Sequence, residues 1–382
     1  MIRVGFIVGE PSPWRVSLLE KVAEHRAIDL TVIYAAPTVH RRTWNVNLPR
    51  EATILRGPSL PLTRLLHHDY PLTPQIWPLL EREQFDVLVI GGWSLLATQL
   101  AIVWARRRKV PYLVISENHF REKRPLWIKA VKSIVLRHVI PQAAGQLVTG
   151  TLAREHALHY GARADRITVF PNAIDVDEYG RAADRLRARA GAIRQSLGIA
   201  EDAVVFAQVA RLLPQKAPDE ALEAVARARA LTPRPVHLLL VGEGTLRPAL
   251  EQRSAELAIA VTFAGFRQGE ELLECYAAAD VFMLLSRREP WGVVVNEAAA
   301  FGLPLMLTDA VGASADLLRA GENGELVHSG DVDGQARAIA RLTNDELRAR
   351  YGSRSRELVE PWGFGPSIES FVSAVETAAR RA

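Results

Sequence analysis

The sequence predicts an α/β protein built from two doubly wound, Rossmann-like domains. Short apolar runs rich in β-branched residues alternate with longer helical patterns along the whole chain. Most runs are apolar on both faces and are followed by Gly, Pro or Ser, which is typical of buried parallel strands with helices on both sides of the sheet. The strand–helix rhythm occurs twice, and 382 residues are enough for two domains.

Each half has its own set of predicted strands. In the first half they are Val4–Val8, Leu30–Tyr34, Val87–Ile90, Tyr112–Ile115, Gln146–Thr149 and Ile167–Phe170. In the second half they are Val204–Val209, His237–Val241, Val261–Ala264, Val281–Leu285 and Pro304–Leu307. A charged, Ala- and Arg-rich stretch separates the two sets. We therefore predict domains over 1–172 and 173–360, and over 361–382 an amphipathic helix that must pack against another element.

Composition excludes several classes of protein. Hydrophobic residues make up 48% and charged residues 24%, which argues against a disordered chain, collagen or a coiled coil. The single cysteine, Cys275, rules out an internal disulfide framework and lies in an apolar stretch that predicts burial. No run reaches the roughly 18–20 apolar residues of a membrane span, and the first strand is too short for a secretory signal. We expect a cytoplasmic protein.

The net charge of +4 hides an asymmetry between the halves. Residues 1–172 carry a balance of +10 and the remainder a balance of −6. Ten basic residues lie between Arg106 and Arg137, against Glu117 and Glu122. This is either a solvated basic face or a surface for an anionic partner such as phospholipid, a lipid diphosphate or an acidic glycan. Nucleic acid is disfavoured because aromatic residues are not interleaved with the basic ones.

The segment Ser286–Thr308 is the most informative one for chemistry. A loop with Glu289 follows a buried strand, and the next helix begins near Val293. The free amides of Trp291–Val294 can bind an anion or hydroxyl oxygens. Glu289 and Glu297 are acceptor-only groups that suit vicinal hydroxyls on a sugar or a ribose. Alternatively, Glu289 caps the helix and Glu297 is a solvated helix residue.

Two further features follow predicted strands. Arg211 and Lys216 come directly after Val204–Val209, where two cations can clamp a diphosphate, although any surface loop can hold such a pair. Gly242 and Gly244 follow the next strand and would let the backbone approach a ligand. Arg247 stands where a dinucleotide-binding loop carries its last glycine, which argues against an NAD site.

These features belong to one ordered series of motifs. It comprises Arg211 and Lys216; Gly242-Glu243-Gly244; Phe263-Ala-Gly265-Phe266; Tyr276-Ala-Ala-Ala-Asp280-Val-Phe282; Ser286; the Glu-x7-Glu pair Glu289/Glu297; and Gly321-x-Asn323-Gly324. In this series the second half resembles the donor-binding domain of family 4 glycosyltransferases, the retaining GT-B type also called group 1. The first half resembles the acceptor domain more loosely, through its opening segment 9–25, Pro171–Asp175 and His119.

The resemblance implies a fold and a set of roles. The GT-B fold has two Rossmann-like domains facing a central cleft, with the terminal helix crossing back onto the first domain. Arg211 and Lys216 would hold the diphosphate of a nucleotide sugar, and Glu297 its ribose. Glu289 would hold the donor sugar together with Ser286 and the loop residues Trp291, Gly292, Val293 and Val294. Gly242 and Gly244 would line the same site, with the nucleobase near Gly265, Phe266 and Arg267.

The resemblance also implies a retaining reaction without a divalent metal or other cofactor. His119 is a candidate for the reaction centre, with Glu117 as a competing one. Ala217 departs from the family pattern, in which Gly often follows the lysine. A glycan or a polyprenyl-diphosphate-linked molecule is the expected acceptor, in the synthesis of cell-surface polysaccharide or glycolipid.

The helical stretch Pro125–Ile140 bears on the acceptor side. Lys129, Lys132, Ser133 and Arg137 follow one face, and Trp127, Ala130, Val131, Ile134 and Val135 follow the other. Residues 106–140 could therefore rest on the anionic inner face of the cytoplasmic membrane, or the helix could pack on its own domain. Three alternative functions stay open: a nucleotide-sugar epimerase, a phosphorylase of the same fold, and a sugar-binding protein without catalysis.

Overall fold

A computed structural model describes residues 1–39, 46, 48, 52–62, 69–120 and 126–381, with the side chains of 126–131 left out. These residues form two compact α/β units. Unit 1 contains the described residues of 1–118, 124–174 and 364–382, and unit 2 those of 119–123 and 175–363. The chain passes from unit 1 to unit 2 after Ile174, two residues beyond the predicted boundary.

Unit 1 contains nine described strands and six described helices. The strands are β1 (Ile2–Val8), β2 (Ile28–Tyr34), β3 (Thr53–Ile54), β4 (Ser59–Leu60), β5 (Tyr70–Pro71), β6 (Val87–Ile90), β7 (Tyr112–Ser116), β8 (Gly145–Val148) and β9 (Ile167–Val169). The helices are α1 (Pro13–Ala23), α2 (Ile76–Glu83), α3 (Leu96–Arg108), α4 (Leu126–Val139), α5 (Thr151–His159) and, at the end of the chain, α15 (Phe364–Ala379).

Unit 2 contains six described strands and nine described helices. The strands are β10 (Val204–Val209), β11 (Val236–Val241), β12 (Ala260–Gly265), β13 (Val281–Leu284), β14 (Leu305–Thr308) and β15 (Gly324–Val327). The helices are α6 (Val176–Arg187), α7 (Ala190–Ser196), α8 (Pro218–Ala228), α9 (Arg247–Glu256), α10 (Glu270–Ala278), α11 (Val293–Ala300), α12 (Ser314–Leu317), α13 (Val332–Leu342) and α14 (Asp345–Val359).

The main sheet of unit 1 is parallel and has the order β3-β2-β1-β6-β7-β8-β9. Successive residues of a strand point to opposite faces, so Phe6 and Ile7 of β1 enter different hydrophobic cores. Burial on both faces explains why the strands of this sheet read as continuous apolar runs in the sequence. The predicted α/β class is confirmed for this unit.

The terminal helix α15 packs on unit 1. Its Phe371 is fully buried, with ring centroids 6.0 Å from Phe6 and 5.2 Å from Phe170. Val375, one turn later, is also fully buried in the same core. The apolar stripe that the sequence shows at helical spacing is therefore the face that covers the sheet.

Unit 2 repeats the arrangement with the parallel order β12-β11-β10-β13-β14-β15. Helix α6 begins after Asp175, whose carboxylate accepts a hydrogen bond of 2.9 Å from the amide of Glu178. Cys275 in α10 is 3% exposed, as predicted, and burial raises the pKa of its thiol to about 11. In the described part of the chain, no helix is both long and apolar enough to cross a membrane.

The helix predicted over 125–140 is α4. Ile134 is 72% exposed, and Leu136 is buried with Ile140 against residues of α5 and β8. The helix therefore packs on its own unit through a different face from the one that carries Ile134. The side chains of Trp127, Lys129, Ala130 and Val131 lie outside the described residues, as do Arg121, Lys123 and Arg124.

Candidate active site in unit 2

The candidate site lies at the point where the strand order of unit 2 reverses. Strands β10 and β13 are neighbours at the centre of the sheet, although β11 and β12 come between them in the chain. Ligands of doubly wound sheets bind at the carboxyl ends of the strands that flank such a point. Arg211 and Lys216 follow β10, while Ser286 and Glu289 follow β13.

The ammonium group of Lys216 forms an ion pair with Oε2 of Glu289. The two side chains are only 16% and 14% exposed, so the pair is largely withdrawn from water. The cap position of α11 is occupied by Gly292, and the carboxylate of Glu289 accepts its hydrogen bond from Lys216. The structure thus joins two of the predicted catalytic residues.

The main chain holds Glu289 in place. Its amide donates to the carbonyl of Ala310 over 3.2 Å, and its own carbonyl accepts from the amide of Gly312 over 2.9 Å. Beside it, Gly292 has φ of +92°, a left-handed conformation that favours glycine. Helix α11 starts at Val293, so the amides of Val293 and Val294 have no acceptor within the helix.

Arg211 is exposed, and its loop is bound to the loop after β11. The amide of Leu212 donates to Glu243 over 2.9 Å, and the amide of Leu246 donates to Leu212 over 3.1 Å. A Cβ atom at Gly242 would overlap the carbonyl oxygen of Ala210, and one at Gly244 would overlap that of Leu212. Both glycines therefore admit the neighbouring loop of the same chain, which is a different reason from the predicted approach of a ligand.

His119 and Glu117 contact different partners. Nε2 of His119, a residue of unit 2, lies 3.0 Å from the carbonyl oxygen of Glu289, and His119 is 3% exposed. Glu117, in unit 1, accepts from Nη2 of Arg15 over 2.5 Å, and the same nitrogen lies 3.2 Å from Oδ1 of Asn172. Of the two competing candidates, His119 is the one in contact with Glu289.

Glu297 is buried, with 7% exposure, so it is not a solvated helix residue. Its Oε2 accepts a hydrogen bond of 2.6 Å from the hydroxyl of Tyr276. Burial raises the pKa of Glu297, and interactions with the phenol groups of Tyr276 and Tyr179 oppose that rise. Burial likewise raises the pKa of both tyrosines well above the usual range.

Trp291 and Ser286 are both buried. The indole of Trp291 stacks on Trp362 with a centroid distance of 5.1 Å, and its Nε1 donates to Oδ1 of Asn296 over 2.9 Å. The hydroxyl of Ser286 has no hydrogen-bond partner among the described residues, while its carbonyl accepts from the hydroxyl of Thr308 over 2.6 Å. The tryptophan side chain thus fixes the loop through contacts with Trp362 and Asn296.

The predicted nucleobase region follows β12. Gly265 has φ of +74°, and its carbonyl accepts from the amide of Gly242 over 2.8 Å. Phe266 is 46% exposed, and Arg267 is held by the carbonyl of Ala264 over 2.9 Å. An exposed aromatic ring beside a fixed guanidinium can stack against a planar ring.

Arg287 was not predicted as a functional residue. It lies in the loop after β13. Its guanidinium donates hydrogen bonds to the carbonyl of Pro214 and to the carboxylates of Asp219 and Glu220. No local sequence signal marks it, because its partners lie about 70 residues earlier in the chain. Within the described ranges, no group of three or more His, Cys, Asp or Glu side chains could hold a metal ion.

Two family models match the chain. The model described as "Glycosyl transferases group 1" matches residues 190–358, and "Glycosyltransferase Family 4" matches residues 17–178. A D-inositol 3-phosphate glycosyltransferase from Stackebrandtia nassauensis is 31% identical over 316 residues, which cover 78% of this chain and 69% of that protein. The chain belongs to the group 1 glycosyltransferases of family 4, as the sequence motifs predicted.

Other similarities are narrower or concern the fold. The lipopolysaccharide core biosynthesis glycosyltransferase LpsE from Rhizobium meliloti is 35% identical over 167 residues, covering 43% of this chain and 47% of that protein. Anabaena HepE, solved with UDP and glucose, superposes with a TM-score of 0.75 at 19% identity, covering 98% of this chain and 100% of that one. The predicted GT-B fold is confirmed by this similarity.

Proposed function

We propose that this chain moves a sugar from a nucleotide-diphosphate sugar to a glycan or lipid-linked acceptor, with retention at the anomeric carbon and without a divalent metal. The observation that carries the proposal is the Lys216–Glu289 pair at the carboxyl ends of β10 and β13. A donor of this kind presents a diphosphate and sugar hydroxyls together. In a cation and carboxylate held side by side, the cation can bind the diphosphate and the carboxylate can accept hydrogen bonds from the sugar hydroxyls.

Each part of the donor has a candidate binding group. Lys216 and Arg211 would hold the diphosphate, and Glu289 with the amides of Val293 and Val294 would hold the sugar. The oxygen of Glu297 that Tyr276 does not occupy would accept from a ribose hydroxyl. The base would stack near Phe266, which is exposed beside Arg267. The binding of UDP and glucose by HepE, a protein of the same fold, supports a nucleotide-sugar donor.

The reaction would break the bond between the anomeric carbon and the diphosphate oxygen. The acceptor oxygen would form its bond on the same face, and the acceptor proton would pass to the departing phosphate oxygen. Charge grows on that phosphate as the bond breaks, so prepositioned cations at Lys216 and Arg211 would supply the main catalytic stabilisation. Glu289 would position the sugar and stabilise positive charge on its ring, without forming a covalent bond.

We assign the acceptor to unit 1, where the excess of positive charge suits an anionic lipid-linked molecule. Arg106, Arg107 and Lys109 are exposed near the end of α3, and α4 carries the 72% exposed Ile134 together with exposed Arg137. Exposed cations and an exposed apolar side chain on one unit suit the surface of an anionic membrane. Two relatives are named as a D-inositol 3-phosphate glycosyltransferase and a lipopolysaccharide core biosynthesis glycosyltransferase. Their names also support an anionic or glycan acceptor for this chain.

A thermal-shift screen tests the donor site first. The protein would be heated with UDP, GDP, dTDP and ADP and with their sugar conjugates, in EDTA to remove metal. We expect one nucleotide family to raise Tm, since a ligand that binds only the folded protein stabilises it by mass action. If NAD or a free sugar raises Tm and no nucleotide does, the proposal fails. Product analysis separates the enzyme alternatives. A transferase needs an acceptor, a phosphorylase needs free phosphate, and an epimerase forms product without either.

Vesicle sedimentation tests the membrane proposal separately. Vesicles of phosphatidylcholine with and without phosphatidylglycerol would be mixed with the protein at low salt. We expect binding only to the anionic vesicles, and loss of binding when Arg106 and Arg137 are both changed to Glu. Equal sedimentation with both kinds of vesicle, or with neither, would remove the membrane from the proposal and leave the donor site unaffected.

A further inference from the structure

Arg287 binds the loop that carries Lys216 on both sides of that lysine. Before Lys216, Nη1 of Arg287 donates to the carbonyl oxygen of Pro214 over 2.6 Å. After it, Nη2 donates to Oδ2 of Asp219 over 2.6 Å, and Nε donates to Oε1 of Glu220 over 2.8 Å. One planar guanidinium therefore fixes the chain at both ends of the segment that presents the lysine.

The main chain adds to this clamp. The amides of Arg287 and Arg288 both donate to the carbonyl oxygen of Gln215, over 3.0 and 3.3 Å. On the other side of the loop, Nε2 of Gln208 donates to the carbonyl of Lys216 over 2.9 Å. The loop after β13, which carries Glu289, is thus tied directly to the loop that carries its partner lysine.

The carboxylate of Glu220 anchors the clamp to the rest of unit 2. The side chain of Glu220 is 8% exposed, and its second oxygen accepts from the amide of Gly330 over 2.8 Å and from Nε2 of Gln335 over 2.9 Å. The Arg287 side chain, which is 39% exposed, bonds this buried network through Nε and the lysine loop through Nη1 and Nη2. Its position is therefore set by contacts that do not depend on Lys216.

The lysine loop requires outside support because of its own conformation. Lys216 ends a single 3₁₀ turn, Pro214–Lys216, and the next residue, Ala217, has φ of +50°. A left-handed conformation is unfavourable for a residue with a Cβ atom, and alanine has no side-chain hydrogen bond to offset that cost. A strained turn persists only where surrounding contacts fix it.

We propose that Arg287 is a positioning residue for diphosphate binding. It holds the turn Pro214–Ala217 in the one conformation that brings the ammonium group of Lys216 to Glu289. The inference rests on the proposed function, because it takes Lys216 to be a group that binds the diphosphate of the donor. Arg287 itself does not touch the donor in this scheme.

A double-mutant cycle tests the proposal. The affinities of UDP, GDP, dTDP and ADP are measured by titration, and the affinity of the nucleoside of each is measured separately for comparison. The proteins are wild type, Arg287→Gln, Lys216→Ala and the double variant. We expect Arg287→Gln to weaken binding of the diphosphate about tenfold, with the nucleoside affected less than about twofold, and to have little further effect when Lys216 is already Ala. Arg341→Gln breaks a comparable ion pair with Glu325, in which the two side chains are 54% and 16% exposed, and serves as the matched control.

Asp219→Asn provides a second, milder variant in case Arg287→Gln unfolds. It weakens one arm of the clamp and should reproduce the selective loss of diphosphate binding in smaller measure. Equal weakening of diphosphate and nucleoside, or additive effects of Arg287→Gln and Lys216→Ala, would reduce Arg287 to a purely structural residue and overturn the inference. Wild-type protein that binds none of the four diphosphates would instead refute the proposed function on which the inference rests.

Discussion

Lys216 and Glu289 form an ion pair that joins the loops after β10 and β13, two strands that are neighbours in the sheet but lie far apart in the chain. Because both side chains are largely buried, each charge compensates the other. Removing one partner of such a pair leaves an uncompensated charge, so single substitutions act on both residues at once. Predictions about either residue therefore need a measurement of folding beside the measurement of activity.

Glu289→Ala should abolish sugar transfer while the protein stays folded. The substitution removes the carboxylate that would hold the donor sugar and leaves the backbone bonds of residue 289 to Ala310 and Gly312 in place. Product formation and Tm are measured together, with Glu322→Ala, at an exposed ion pair with Arg354, as the control. Full transfer by the Glu289→Ala protein would show that the site is wrongly assigned.

Arg211→Ala and Lys216→Ala should each weaken binding of the nucleoside diphosphate. A hydrogen bond to a charged group contributes roughly 1.5–3 kcal/mol, so we expect losses of about 10- to 100-fold in affinity. Isothermal titration calorimetry gives the affinities, and Arg253→Ala, at an exposed arginine of the same unit, serves as the control. Unchanged affinity in both site variants would rule out the diphosphate clamp.

The sequence predicted the strands well because buried parallel strands are continuous apolar runs. Val204–Val209 and Val87–Ile90 were predicted with the bounds that the structure shows. Gly324–Val327 was missed, since it begins with glycine, has a half-buried Glu325 and lies at the edge of the sheet. Such a strand is neither continuous and apolar nor clearly alternating, so its sequence resembles a loop.

The sequence identified the residues of the candidate site but not their partners. Motif spacing located Lys216 and Glu289, whereas the clamp of Arg287 depends on contacts between segments about 70 residues apart. Spacing also could not tell whether Gly242 admits a ligand or the protein's own backbone, because both require the absence of a Cβ atom. Such contacts depend on how the strands are ordered in the sheet, which a single sequence does not specify.

His119→Ala should reduce kcat more than Glu117→Ala does. Nε2 of His119 lies 3.0 Å from the carbonyl of Glu289, so its loss would free the loop that, in the proposed function, holds the donor sugar. Glu117 instead pairs with Arg15 in unit 1. Steady-state kinetics with donor and acceptor varied separately give kcat and KM for both variants. A larger loss of kcat for Glu117→Ala would reverse the assignment.

Gly242→Ala should destabilise the protein by about 2–3 kcal/mol, a cost typical of overpacking. The new Cβ would overlap the carbonyl oxygen of Ala210, and the residue would also have to keep φ of +141°. Gly191→Ala in α7 is the matched control, because a Cβ there meets nothing within 4 Å and should stabilise the helix by about 0.5–1 kcal/mol. Urea unfolding midpoints compare the two. Equal midpoints would mean that the loop after β10 yields easily to the extra methyl group.

The raised pKa of Glu297 makes stability depend on pH in a direction opposite to that of most carboxylates. Burial makes the folded protein hold the Glu297 proton more tightly than the unfolded chain does. The stabilising contribution of Glu297 to the free energy of unfolding is therefore fully present below the pKa of the unfolded chain. It is lost as pH rises through the pKa of Glu297 in the folded protein. Glu297→Gln cannot ionise, so its stability relative to wild type should increase across that window. Urea unfolding from pH 4 to pH 7 measures the difference, with exposed Glu201→Gln as the control. A difference between Glu297→Gln and wild type that stays constant with pH would mean that the Glu297 carboxylate is as well stabilised in the folded protein as in water.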